Sequence, residues 1–231
     1  MKRILLSVAT LAFIFGVTLT SCTKDDITSP VLSLNGSASV TLDLGDTYTD
    51  AGATANDDKD GDLTTSIVTT GLTSVNENQV GTYIIKYNVT DAAGNSATEV
   101  TRTVIVRADR LAGTYDVDCT ISSGPGVPGW LGSVTLTASS TEYNKLIVSN
   151  FAGWGSSVIG YILVSGSNIT VPSQHPTAVP SPNEGTASGT TGTYSVTGPT
   201  SAQCKISTIN YSWTYDTGGV DACAETYTNK L

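Results

Sequence analysis

Polar and apolar residues alternate along most of this chain. Val40, Leu42 and Leu44 are separated by Thr41 and Asp43, and Tyr83, Ile85, Tyr87 and Val89 share one parity in 82–90. That is the period-2 signature of strands with one buried face. Asp91-Ala92-Ala93-Gly94-Asn95 reads as a turn, Gly94 supplying the positive φ that hairpins need. The chain returns over 96–107 with Val100, Val104 and Val106 on one face. Arg102 falls on the same parity and is expected at a bulge, or at a strand end where its guanidinium reaches solvent. Further strands are predicted near 112–121, 131–138, 143–149, 157–164, 168–171, 186–197, 203–215 and 222–228, with a Pro-rich loop over 172–184. No long stretch after residue 20 places apolar residues at i, i+3, i+4 and i+7, so the expected fold class is all-β.

The text divides at a short polar junction, Arg107 to Arg110. Residues 31–107 and 109–231 are expected to be separate domains. The eight strands predicted in the second suggest an antiparallel β-sandwich or an up-and-down, lipocalin-like barrel.

The first residues read as a targeting segment. Lys2 and Arg3 precede an apolar run from Ile4 to Leu19, shorter than the ~20 residues that span a bilayer. Leu19-Thr20-Ser21-Cys22 resembles the lipobox of bacterial lipoproteins. The resemblance implies removal of residues 1–21 and lipidation of Cys22, with 22–30 as a tethered linker. Several acyl chains hold firmly where one is marginal. Lys24-Asp25-Asp26 resembles the K-(D/E)-(D/E) surface-export signal of Bacteroidota lipoproteins. The implied location is the outer membrane, lipid-anchored, facing the cell exterior.

Residues 31–107 carry a second resemblance. Gly45 to Ala53, Asp58 to Thr64, Gly81 to Tyr83, Thr90 to Asn95 and Thr101 to Val106 follow in order the pattern of the bacterial Ig-like domain first named from a pesticidal crystal protein. The resemblance implies a seven-strand-type β-sandwich, used as a spacer or presentation module, and no catalysis. A lipobox, this module and a C-terminal β-domain opening Leu111-Ala112-Gly113-Thr114-Tyr115 together resemble a group of Bacteroidota lipoproteins, some of which accompany outer-membrane glycan-uptake systems.

Charge narrows the partners. The net charge of −9 disfavours nucleic acid, which selects for a basic face. The densest polar cluster, Asn56 to Leu63, suits Ca²⁺ in part: Asn56, Asp58 and Asp60 alternate before Gly61, and Asp62 would offer a carbonyl. Position 12 of such a loop is Ile67 rather than a bidentate Glu, so it is half a site. Asp91 is the acid placed to add a ligand from another loop. The simpler reading is an acidic turn bonded to its own backbone.

Three cysteines remain beyond Cys22. Cys119 with Cys223 is the favoured disulfide, because first and last strands of a closed β-domain are neighbours. Cys204 with Cys223 is the runner-up, and three buried thiols the alternative. All three tryptophans lie in the second domain. Trp130 and Trp154, each flanked by glycines, are expected on loops, where exposed rings stack on sugar faces beside polar groups such as Asn150. Trp213 shares the parity of Tyr211 and Tyr215 and reads as core. His175 reads as a surface residue. No G-x-S-x-G elbow and no phosphate loop occur. The expected function is therefore non-catalytic: a cell-surface binding or accessory lipoprotein for glycans. The alternative is a structural spacer or assembly partner for another envelope protein.

Overall fold

The computed structural model describes residues 25–123, 129–181 and 183–230; the targeting segment expected over 1–21, Cys22 and Lys24 lie outside them. The first domain holds seven strands: β1 (Val31–Leu34), β2 (Ser39–Asp43), β3 (Ala53–Asp57), β4 (Gly61–Asp62), β5 (Val68–Thr70), β6 (Gly81–Asn88) and β7 (Val100–Arg107). They form two sheets, β1-β3-β4 and β2-β7-β6-β5, with β2 parallel to β7. The alternation is realised as read: Ile85 and Tyr87 of β6 and Val104 of β7 are buried against Ala53 of the facing sheet. Two packed sheets with inward apolar parity make an Ig-like sandwich.

Arg102 corrects the sequence reading. It sits in an unbulged β7, paired with Ile85, and is 1% exposed. Its guanidinium meets Asp50, the Tyr87 hydroxyl and the carbonyls of Ser37, Asn35 and Gly52. An inward cation is tolerated because a carboxylate and a fork of acceptors replace its water.

The second domain is a closed antiparallel barrel of eight strands: β8 (Gly113–Ser123), β9 (Trp130–Ala138), β10 (Lys145–Ser149), β11 (Ile159–Ser165), β12 (Asn168–Gln174), β13 (Gly185–Val196), β14 (Cys204–Tyr215) and β15 (Val220–Lys230). Each strand pairs with the next, and β15 closes on β8. The sandwich alternative is thereby set aside. Strand β12 runs to Gln174, three residues into the stretch expected to be loop. Pro172 is accommodated because the β12–β13 register shifts between Val171 and Gln174, and a bulge needs no ladder N–H there. A bulge also falls in β14, whose register steps between Thr193↔Thr208 and Tyr194↔Ile206. The buried parity changes with it, from Cys204 and Ile206 to Ile209, Tyr211 and Trp213. One extra residue turns a strand's faces over.

The expected polar junction is a docked one. Ala108 and Leu111 are fully buried, and Leu44 and Val80 of the sandwich share one continuous core with the barrel residues. Gly166 N donates to Val80 O at 2.9 Å, Val80 N to Tyr194 Oη at 3.1 Å, and Ala108 N to Tyr143 O at 2.8 Å. Arg110 bonds Leu44 O at 2.8 Å and Asp46 at 2.7 Å. At Gly45, φ is +86° and a Cβ would stand 2.7 Å from Gly198 O, so glycine permits the close approach of the two domains.

Strand direction fixes which barrel end is which. The β8 start, the β11–β12 turn, the β13 end and the β15 end all lie against the sandwich. The β8 end, the β9 start, the turn at 150–158 and the β14–β15 hairpin therefore form the opposite, distal end.

Candidate functional site

That distal end carries a cavity of about 100 Å³. Its lining includes Trp130 at the start of β9, Trp154 after the short turn Phe151–Gly153, and Trp213 of β14, together with Tyr215 and Asp221 from the last hairpin. The Trp154 and Trp213 ring centroids lie 6.3 Å apart at 44°. The two glycine-flanked tryptophans therefore join the inward Trp213 rather than forming a separate loop surface. Both are half-buried.

The glycines have a local purpose. A Cβ on Gly153, at φ +76°, would come within 2.6 Å of the Trp130 ring, and one on Gly132 within 2.9 Å. Absent side chains leave room for the indole to lie flat over the backbone. Asn150 is at φ 59° and its amide is spent locally: Nδ2 donates to Ser133 O at 2.8 Å and Oδ1 accepts from Gly155 N at 2.7 Å. It builds the turn that presents Trp154 and does not line the cavity.

The polar edge comes from residues that sequence reasoning did not single out. Asp221 is 2% exposed and accepts from the Tyr215 hydroxyl at 2.7 Å. Burial first, then this hydrogen bond, pushes the Tyr215 phenol up to about 12. Deeper along β15, Glu225 accepts from Tyr211 at 2.8 Å and Tyr227 at 2.7 Å. Burial raises its carboxyl above the ordinary carboxylate range, outweighing both phenol donors. The available signal was parity: Asp221, Cys223, Glu225 and Tyr227 alternate on one face of β15.

Cys119, Cys204 and Cys223 are free, buried thiols. Cys119 and Cys223 are diagonal neighbours across the β8–β15 seam, opposite Glu225 and Ile121 in the ladder, and both line the cavity. A hydrogen bond from Cys223 lowers the Cys119 thiol and correspondingly raises that of Cys223. Cys204 lies at the other end, its sulfur 3.5 Å from Leu44 O, remote from any pairing with Cys223. His175 Nε2 lies 3.0 Å from Asp216, both exposed.

The acidic cluster is not assembled as read. Asn56 donates to the Asp57 carbonyl, Asp62 accepts from Thr64 N at 2.9 Å, and Asp58 is exposed on the turn. Of the four residues expected, Asp60 alone joins a carboxylate group, with Asp26, Asp57 and Asp91.

A family model described as bacterial surface protein, Ig-like domain matches residues 32–106. No curated relative matches the chain. Among solved structures, the chain is similar to the crystal structure of a lipoprotein from Bacteroides thetaiotaomicron. The two are 19% identical, the match covers 85% of this chain and 99% of that one, and the TM-score is 0.33. The matched family segment coincides with the sandwich, and the barrel with its aromatic cavity stands outside it.

Proposed function

We propose that this is a non-catalytic cell-surface lipoprotein, in which Cys22 anchors the chain to the outer membrane, the Ig-like domain acts as a rigid spacer, and the barrel presents a sugar-binding tip. The observation that carries the reading is the convergence of Trp130, Trp154 and Trp213 beside the buried Asp221 carboxylate, at the barrel end farthest from the sandwich. An indole face takes the apolar C–H side of a pyranose, and a carboxylate accepts from its hydroxyls. The cavity is below the roughly 150 Å³ that holds a benzene ring in an engineered core. It therefore admits only one edge of a terminal sugar ring, with most of that ring and the rest of the glycan lying outside against the half-buried Trp130 and Trp154. The match of residues 32–106 to a surface-protein domain supports the location.

The test is a glycan array probed with the purified protein, followed by calorimetric titration of any positive glycan. Binding that Trp154→Ala and Asp221→Asn each abolish, with melting retained, supports the assignment. A protein that binds no glycan, or variants that bind as the wild type does, refutes it. The shared core of the two domains equally favours the second reading, a rigid spacer in an envelope assembly, which crosslinking on intact cells would report.

A further inference from the structure

We propose that the pole of the Ig-like domain opposite the barrel is a calcium site formed by Asp26, Asp57, Asp60 and Asp91. Each offers one carboxylate oxygen, and these four atoms lie within 4.8 Å of one another. They come from three places: the segment leading from Cys22, the β3–β4 turn, and the turn after β6. Period 2 explains the first assignment. Ala53, Ala55 and Asp57 alternate inward along β3, so Asp57 is buried where Asp58, one residue on, is exposed.

The carboxylates are held in place by their own backbone and amide contacts. Asp57 Oδ1 accepts from Lys59 N at 2.9 Å and Asp60 N at 3.0 Å, and Asp60 Oδ2 from Ala92 N at 2.7 Å. Asn95 binds Asp91 through its backbone N at 2.7 Å and its Nδ2 at 2.8 Å, and the same Nδ2 reaches the Asp26 carbonyl at 3.1 Å. These contacts are the outer shell that orients ligands around an ion.

Orientation alone does not make a site; the second observation is Asp57 itself. It is 3% exposed, and its Oδ2 has no hydrogen-bond partner among the described residues. A buried carboxylate oxygen without a partner is costly. Four acids at this spacing add mutual repulsion that one divalent cation removes. The oxygen-only set selects a hard cation. Four carboxylates exceed the one or two that Mg²⁺ ordinarily takes and suit Ca²⁺, with solvent completing its shell.

Mature protein stripped with EDTA is titrated with CaCl₂ by calorimetry and by melting. The expected result is one Ca²⁺ per chain, a melting temperature that climbs with Ca²⁺ concentration, and no such rise with equal Mg²⁺. Asp57→Asn and the exposed Asp60→Asn each weaken Ca²⁺ affinity by more than about tenfold, and Asp26→Asn weakens it as well. Asp58→Asn binds as the wild type does. No heat and no melting shift at millimolar Ca²⁺ overturns the site. Equal stabilisation by Mg²⁺, or a loss in Asp58→Asn matching that in Asp60→Asn, does the same.

Discussion

Arg102 of β7 closes on Asp50 inside the sandwich, and Tyr48 and Tyr87 complete the carboxylate's shell at 2.9 and 2.7 Å. Burial would raise the Asp50 carboxyl, but the phenol hydrogen bonds and Arg102 outweigh it and hold the group below 3.8. Removing one member of such a pair strands the other. Asp50→Ala or Arg102→Ala should cost about 3–5 kcal/mol, measured by urea denaturation. The sign in pH follows. Asp50 binds protons less readily when folded, so its stabilisation is present above 3.8 and is lost as pH falls through its lowered folded value.

Glu225 works in the opposite direction. Its folded carboxyl is raised by burial, so between 4.5 and that raised value the native state keeps a proton the unfolded chain has released. Its contribution is complete below 4.5 and is lost as pH rises through the window. Glu225→Gln should flatten the decline on that side while leaving the acid limb set by Asp50. Melting curves across the pH range read both limbs.

The domain junction should melt as one unit with the barrel. Leu44 is fully buried against it. Leu44→Ala is expected to cost about 2–5 kcal/mol and to split a single calorimetric transition in two. An unchanged single transition would show that Leu44 is not what couples the two domains.

Gly153→Ala should disturb the distal cavity from within its own lining. The new methyl meets the Trp130 ring and requires a left-handed backbone that alanine adopts at a cost of about 1 kcal/mol or more. A changed tryptophan emission spectrum with a modest melting loss is expected. An unchanged spectrum would mean Trp130 is not held where described.

Oxidation is selective by position. Mild oxidant should join Cys119 to Cys223 and leave Cys204 for alkylation after unfolding, because the first two are hydrogen-bonded diagonal neighbours at the barrel seam and the third packs under Leu44 at the other end. Non-reducing digestion with mass spectrometry identifies the linked peptides. A bridge containing Cys204 would contradict the geometry.

Alternation made the barrel strands and the sandwich faces legible, since burial on one side of a strand is written in every second residue. Long-range partners were not legible. The parity of Arg102 pointed inward, but nothing near it in the chain announces Asp50. The acidic stretch invited a reading by loop spacing, whereas β3 continues its alternation through Asp57 and sends Asp58 outward. Trp130 and Trp154 were visible from composition and flanking glycines. Asp221 acquires meaning only when the last hairpin folds beside them. Pro172 obscured the end of β12 because a bulge is a property of the pairing and not of either strand alone.

Pairing of β8 with β15 brings together the two ends of a domain, with Asp116 and Thr228 in contact across 112 residues of chain. A nascent polypeptide cannot close this seam until its final strand has been made. Such distant pairing is slow to form and leaves edges exposed while it waits. Loss of even the last strand would leave an open sheet rather than a smaller barrel, and Cys119 without the opposite wall of its pocket. Completion of the whole barrel domain thus precedes the existence of the cavity.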